Sequence, residues 1–144
     1  TADSSGARFN STAPTTTTFS VGTSDVTNKS GDNIIAILFG EQSSISKMGE
    51  YTGTGSTTAD DYVSLGFTPR FLIIKRSDAA SDWWILDSSR GMGAGIDKVL
   101  DPTLDASQNT SVDFISVNVS SGGFGLVGAY FNQSSGKYVY YAHA

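Results

Sequence analysis

A chain of 144 residues with 14 acidic and 9 basic side chains, net charge −5, is long enough to bury the core of one domain. It has no cysteine, which excludes disulfides and thiolate metal sites. An acidic chain without a Lys/Arg cluster offers no counter-charge to nucleic acid or to an anionic lipid surface, and no apolar run approaches the ~18 residues of a membrane span. Charged residues make up only 16%, so polarity comes from Ser, Thr, Asn and Gly. Twelve of the acids are Asp and two are Glu, a bias toward turns over helices. Thr1–Asn10 has neither the basic start nor the apolar core of a signal peptide.

In chain order, strands are predicted at residues 19–22, 33–39, 45–51, 62–65, 71–76, 83–87, 112–119, 124–128 and 137–143. The stretches between them are rich in Gly, Asn, Ser, Asp and Pro, which suit turn dihedrals. A helix has room only at 96–107, where Pro102 interrupts it. The expected class is therefore all-β, an antiparallel β-sandwich of jelly-roll or lectin-like type with at most one short helical turn. Residues 33–39 and 71–74 are apolar on both faces and are expected as central, doubly covered strands. Residues 137–143 alternate, with Tyr138, Tyr140 and Ala142 on one face and Val139, Tyr141 and His143 on the other.

Residues 9–40 look like residues 114–144. Phe9 matches Phe114, Phe19 matches Phe124, and Val21-Gly22 matches Val127-Gly128. Asn28-Lys29-Ser30-Gly31 falls on the turn at 132–136, and Ile35-Ala36-Ile37-Leu38 on Val139-Tyr140-Tyr141-Ala142. The offset holds between 104 and 106 residues, a period of a string of domains and not of a solenoid. The expected organisation is residues 1–45 as the C-terminal part of a preceding unit and 46–144 as a complete unit.

Three stretches then point to a family. Tyr51-Thr52-Gly53-Thr54-Gly55-Ser56, residues 63–76 (Val-Ser-Leu-Gly-Phe-Thr-Pro-Arg-Phe-Leu-Ile-Ile-Lys-Arg) and residues 83–91 (Trp-Trp-Ile-Leu-Asp-Ser-Ser-Arg-Gly) stand in that order. Phe114, Gly122-Gly123-Phe124, Val127-Gly128, Asn132, Ser135-Gly136 and residues 138–144 come after them. Together they resemble a repeat in tail-fibre and related proteins of bacteriophages, notably marine and cyanobacterial phages. The resemblance implies a virion or extracellular location, a homo-oligomer with a trimer favoured, or contacts with neighbouring fibre subunits. It implies no catalytic residue and no cofactor. The expected role is a non-enzymatic structural and adhesion module, contributing to attachment to a host-surface glycan. The alternative is a free-standing carbohydrate-binding module of a secreted enzyme or bacterial adhesin.

Among single residues, Trp83 and Trp84 point to opposite faces of a regular strand, and an exposed ring there would stack on a sugar. Trp83, Tyr138, Tyr140 and Arg90 are the candidate ligand-binding residues. Asp87 is expected to cap the turn through the backbone N–H groups near Arg90, with Arg90 pairing to it. The lone His143, next to the C-terminus, is expected at a surface or interface. Asp60-Asp61, Asp78/Asp82 and Asp101/Asp105 are the carboxylate pairs that glycoside hydrolysis would need, but turns account for Asp at these places. Asp97, Asp101 and Asp105 lack EF-hand spacing, and no metal site is assigned.

Overall fold

The computed structural model describes residues 6–58, 61–93, 97–103, 109–112, 115–118, 122–127 and 130–144. Contacts divide the chain into two units, one ending at Leu38 and the other comprising Phe39–Ala144.

The second unit is antiparallel β-structure. Its strands are β1 (Ser46–Thr52), β2 (Asp61–Ser64), β3 (Phe71–Arg76), β4 (Trp83–Asp87), β5 (Asp97–Val99), β6 (Asn109–Val112), β7 (Ile115–Asn118), β8 (Gly123–Leu126) and β9 (Lys137–His143). Among the described residues they form a four-stranded sheet in the order β1-β9-β3-β4, a three-stranded sheet β2-β8-β7 and a two-stranded sheet β5-β6. The alternation of β9 explains its place. Tyr138, Tyr140 and Ala142 are buried, while both strand edges are paired, Ser46↔His143 to Thr52↔Lys137 on one side and Phe71↔His143 to Arg76↔Tyr138 on the other.

The core lies between the two larger sheets. Leu72, Ile74, Leu86, Tyr138, Tyr140 and Ala142 from one meet Phe124 and Leu126 from the other. Tyr51 stacks on Tyr138 with centroids 4.9 Å apart and planes 7° apart, and Phe124 meets Tyr51 and Tyr140 edge-on at 6.4 and 5.5 Å. Offset and edge-to-face pairs of this kind add to the area they bury. The architecture is the all-β, sandwich-like class predicted.

The motif Tyr51–Ser56 is a clasp around the turn that precedes β9. The Tyr51 hydroxyl donates to the Phe131 carbonyl (2.9 Å), and the Gly53 N–H to the Gly136 carbonyl (2.8 Å). Buried Asn132 accepts from the Thr54 N–H (2.8 Å) and donates to the Ser56 carbonyl (3.1 Å). A Cβ at Gly53 would collide with the Gln133 carbonyl oxygen, so only glycine fits. At the end of β4 the Asp87 carboxylate caps a single 3-10 turn, Ser88–Arg90. Its Oδ1 accepts from the Arg90 N–H (3.0 Å), and its Oδ2 pairs with Arg90 Nη1 (2.7 Å). Asp87→Ala is expected to cost about 1 kcal/mol, measured by urea unfolding, while Arg90→Ala costs less, because it leaves the cap in place.

Both edges of the four-stranded sheet are occupied. On β1 the Met48 N–H donates to the Glu41 carboxylate (3.0 Å), and Gln42 bridges Ser46. On β4 Ile85 and Leu100 exchange two backbone hydrogen bonds of 2.9 Å.

The structure departs from the sequence reading in five places. The run at 112–119 serves two sheets, β6 pairing with β5 and β7 with β8. The sequence pattern alone reads the run as one strand; residues 113 and 114, between β6 and β7, lie outside the described residues. Within 96–107, the one place left open for a helix, residues Asp97–Val99 form β5, with Asp97 and Val99 buried, while residues 96 and 104–107 lie outside the described residues. β3 is central as predicted but not doubly covered. Leu72 and Ile74 are fully buried, whereas Phe71 and Ile73 are half-exposed on the outer face. Helical structure exceeds one turn, since the first unit holds α1 (Gly6–Phe9) and α2 (Asp25–Asn28), the latter capped by the Ser24 hydroxyl. Finally, 19–22 and 33–39 form no strand. The Gly22 and Ser24 N–H groups instead donate to the carbonyls of Arg8 and Ala7 (2.8 and 2.9 Å). Ile35 and Ile37 are 89% and 76% exposed. A strand exists only where a ladder partner exists, and among the described residues neither segment has one.

Candidate binding surface

The outer face of the four-stranded sheet is apolar. Strand register sets Met48, Tyr141, Ile73 and Ile85 in one row across it, and Glu50, Val139, Lys75 and Trp83 in the next. Phe39 packs over Tyr141, with centroids 4.6 Å apart. At the β3–β4 hairpin end stands Trp83, 42% exposed. Lys75 Nζ lies 5.3 Å from the centre of its ring and donates to the Ser81 carbonyl (2.6 Å). The ammonium is thereby held between the ring and the loop, a cation–π arrangement.

On the other side of the same hairpin, Trp84 turns inward and meets Phe131 and Tyr130 edge-on at 6.0 and 5.9 Å. Tyr130 is 55% exposed and, with Arg76, Ala80, Ser81 and Gln133, lines a shallow groove. Arg76 forks onto Asp78, Nε to Oδ1 at 2.6 Å and Nη2 to Oδ2 at 3.4 Å. That hydrogen bond holds the Asp78 carboxyl below its ordinary range and raises Arg76 further, so both stay charged at neutral pH. The hairpin end and the neighbouring segment 130–133 thus present two aromatic faces, an ion pair, an ammonium group and an amide. Such groups stack on a flat apolar face and hydrogen-bond to hydroxyls.

Of the predicted binding residues, Trp83 lies here. Tyr138 and Tyr140 do not. They are core side chains on the inward face of β9, with rings that face Tyr51 and Phe124. Arg90 sits at the opposite end of β4, bound to Asp87. His143 is exposed, its Nδ1 2.8 Å from the Ala144 carbonyl oxygen. Asp78 is engaged by Arg76, and the Thr103 hydroxyl lies between Asp101 Oδ1 (2.5 Å) and Asp82 Oδ1 (3.2 Å). Asp60 and Asp105 lie outside the described residues. Asp97 is not a solvated turn residue; it is fully buried and accepts from the Gly93 N–H (2.7 Å). Among the described residues no group of three His, Cys, Asp or Glu side chains could hold a metal ion, and no helix is long and apolar enough to cross a membrane.

Sequence reasoning missed Tyr130, Gln133 and Arg76. Tyr130 and Gln133 flank buried Phe131 and Asn132 in irregular chain, where no period separates inward from outward positions. No curated protein and no solved structure matches the chain. A family model, described as "Domain of unknown function (DUF7483)", matches residues 1–144, and the chain belongs to that family.

Proposed function

We propose that the chain is a non-enzymatic structural and adhesive module of a phage tail fibre or similar virion appendage, which holds a host-surface glycan at the β3–β4 hairpin end. The observation that carries the reading is the exposure of Trp83 and Tyr130 on either side of one rigid hairpin, each beside a charged donor. Aromatic faces with hydroxyl-binding neighbours suit pyranose rings, whose apolar face stacks while their rim hydrogen-bonds. The sequence resemblance supports the fibre context, and with it a homo-oligomer, a trimer above all, outside the cell or on the virion.

The test is a glycan array followed by titration calorimetry on the best ligand. Trp83→Ala and Tyr130→Ala are each expected to weaken binding about tenfold, ~1.4 kcal/mol, with the glycan recovered uncut. Both rings are exposed, so the fold is spared. Unchanged affinity in both variants overturns the site, and new reducing ends overturn the non-enzymatic reading. A monomer at high concentration that still binds the glycan favours the free-standing carbohydrate-binding module.

A further inference from the structure

Among the described residues, 33–39 is an apolar segment with no ladder partner. Asn33-Ile34-Ile35-Ala36-Ile37-Leu38-Phe39 is apolar at six consecutive positions, and its large side chains are exposed. An exposed run of this kind marks a surface that another body covers.

The structure itself indicates which body. In the sequence, 33–39 falls on 137–143 at an offset of 104 residues, and the turns that lead into the two segments have the same geometry. In one, the Asp32 N–H donates to the Lys29 carbonyl (3.3 Å) and Gly31 has φ +84°. In the other, the Gly136 N–H donates to the Gln133 carbonyl (2.9 Å) and Ser135, the residue 104 beyond Gly31, has φ +61°. The left-handed residue thus stands at the same place in both turns. Both turns also begin after an asparagine, Asn28 and Asn132. Asn132 donates to Ser56 in the clasp, whereas Asn28 donates to Gly22 within its own unit (2.9 Å). Phe19 repeats the contrast, being 44% exposed where its counterpart Phe124 is fully buried.

Beyond the second turn the chain enters β9, which is paired on both edges, by β1 and β3. We propose that 33–39 is the closing strand of another unit of this same fold, seated between that unit's β1-type and β3-type strands. Transferring the register of β9 turns Ile34, Ala36 and Leu38 to the core and Ile35, Ile37 and Phe39 to the outer face. The inner three take the places of buried Tyr138, Tyr140 and Ala142, and the outer three those of Val139, Tyr141 and His143 on the partly exposed face. The intact unit in this chain is not the acceptor, because β9 already fills its slot.

The test is a tandem chain in which residues 39–113 are joined directly to Phe9, followed by the rest of the sequence. The added strands lack a β9 of their own. To match their slot, the segment carries Ile34→Tyr, Ala36→Tyr and Leu38→Ala, the inner-face residues of β9. Amide hydrogen exchange is followed by mass spectrometry. The expected result is exchange across 33–39 slowed about a hundredfold or more relative to the chain alone. A control tandem with Ala36→Asp and Leu38→Asp, charges on the inner face, is expected to show no such protection. The proposal is overturned if the matched tandem exchanges as fast as the chain alone, or if both tandems are protected equally. It is also overturned if 33–39 in the unmodified chain becomes protected as concentration rises and a dimer forms, since a second intact copy would then be what covers it.

Discussion

Phe124→Ala lowers the unfolding free energy by about 3–5 kcal/mol, the cost of emptying a fully buried aromatic site. The ring stands where the two larger sheets meet, edge-on to Tyr51 and Tyr140. Its removal forfeits contacts on both sides, and neighbouring strands are held by backbone ladders that resist collapse into the space. For a domain of this size the melting temperature falls by roughly 12 °C or more. Phe19→Ala is the internal control. Its ring is half in solvent, so the loss there stays within about 0.5 kcal/mol. Calorimetry on the two variants checks the pair, and equal losses would mean that Phe124 is not a core residue.

A second large effect arises at alkaline pH. Burial raises the Tyr51 hydroxyl well above the usual tyrosine range, and the neighbouring Tyr138 adds to the shift. Burial raises Tyr140 as well, with Glu41 contributing. In the unfolded chain a tyrosine ionises near pH 10. Above that pH the unfolded state has released the Tyr51 proton while the folded state still holds it. Stability therefore falls as pH rises, by about 1.4 kcal/mol per pH unit for that one group. Denaturant midpoints measured from pH 8 to pH 12 check the slope. Tyr51→Phe is expected to lose about 1 kcal/mol at neutral pH, from the hydrogen bond to Phe131, and to show a shallower alkaline decline. An undiminished slope in that variant would place the responsible group elsewhere.

Strand-like runs bounded by turn residues were legible to the residue, as β3, β4 and β9 show. The all-β class came from the short strand-like runs, the turn residues between them and the scarcity of room for a helix. Alternation does not say which face is inside, and for β9 it left two tyrosines open as ligands that the core had claimed. Nor does an apolar run carry its partner with it. Residues 33–39 and β3 look alike as sequences, but β3 is flanked by β9 and β4 while 33–39 has no ladder within the described chain. The hairpin-end site was half legible. Trp83 emerged from strand geometry, whereas Tyr130 and Gln133 depend on how irregular chain passes Trp84, which no local rule fixes. The Tyr51–Ser56 motif was visible as letters, and its purpose became plain only when Asn132, nearly eighty residues away, closed the clasp.

The Glu41 carboxylate on the Met48 N–H, and Leu100 against Ile85, bear on how the protein behaves when crowded. Sheet edges with free donors recruit strands from other molecules and seed fibrillar aggregates. Here one rim is blocked by a side-chain charge that would have to be desolvated before a foreign strand could dock, and the other by the chain's own backbone. Lateral growth of the four-stranded sheet is disfavoured at both rims.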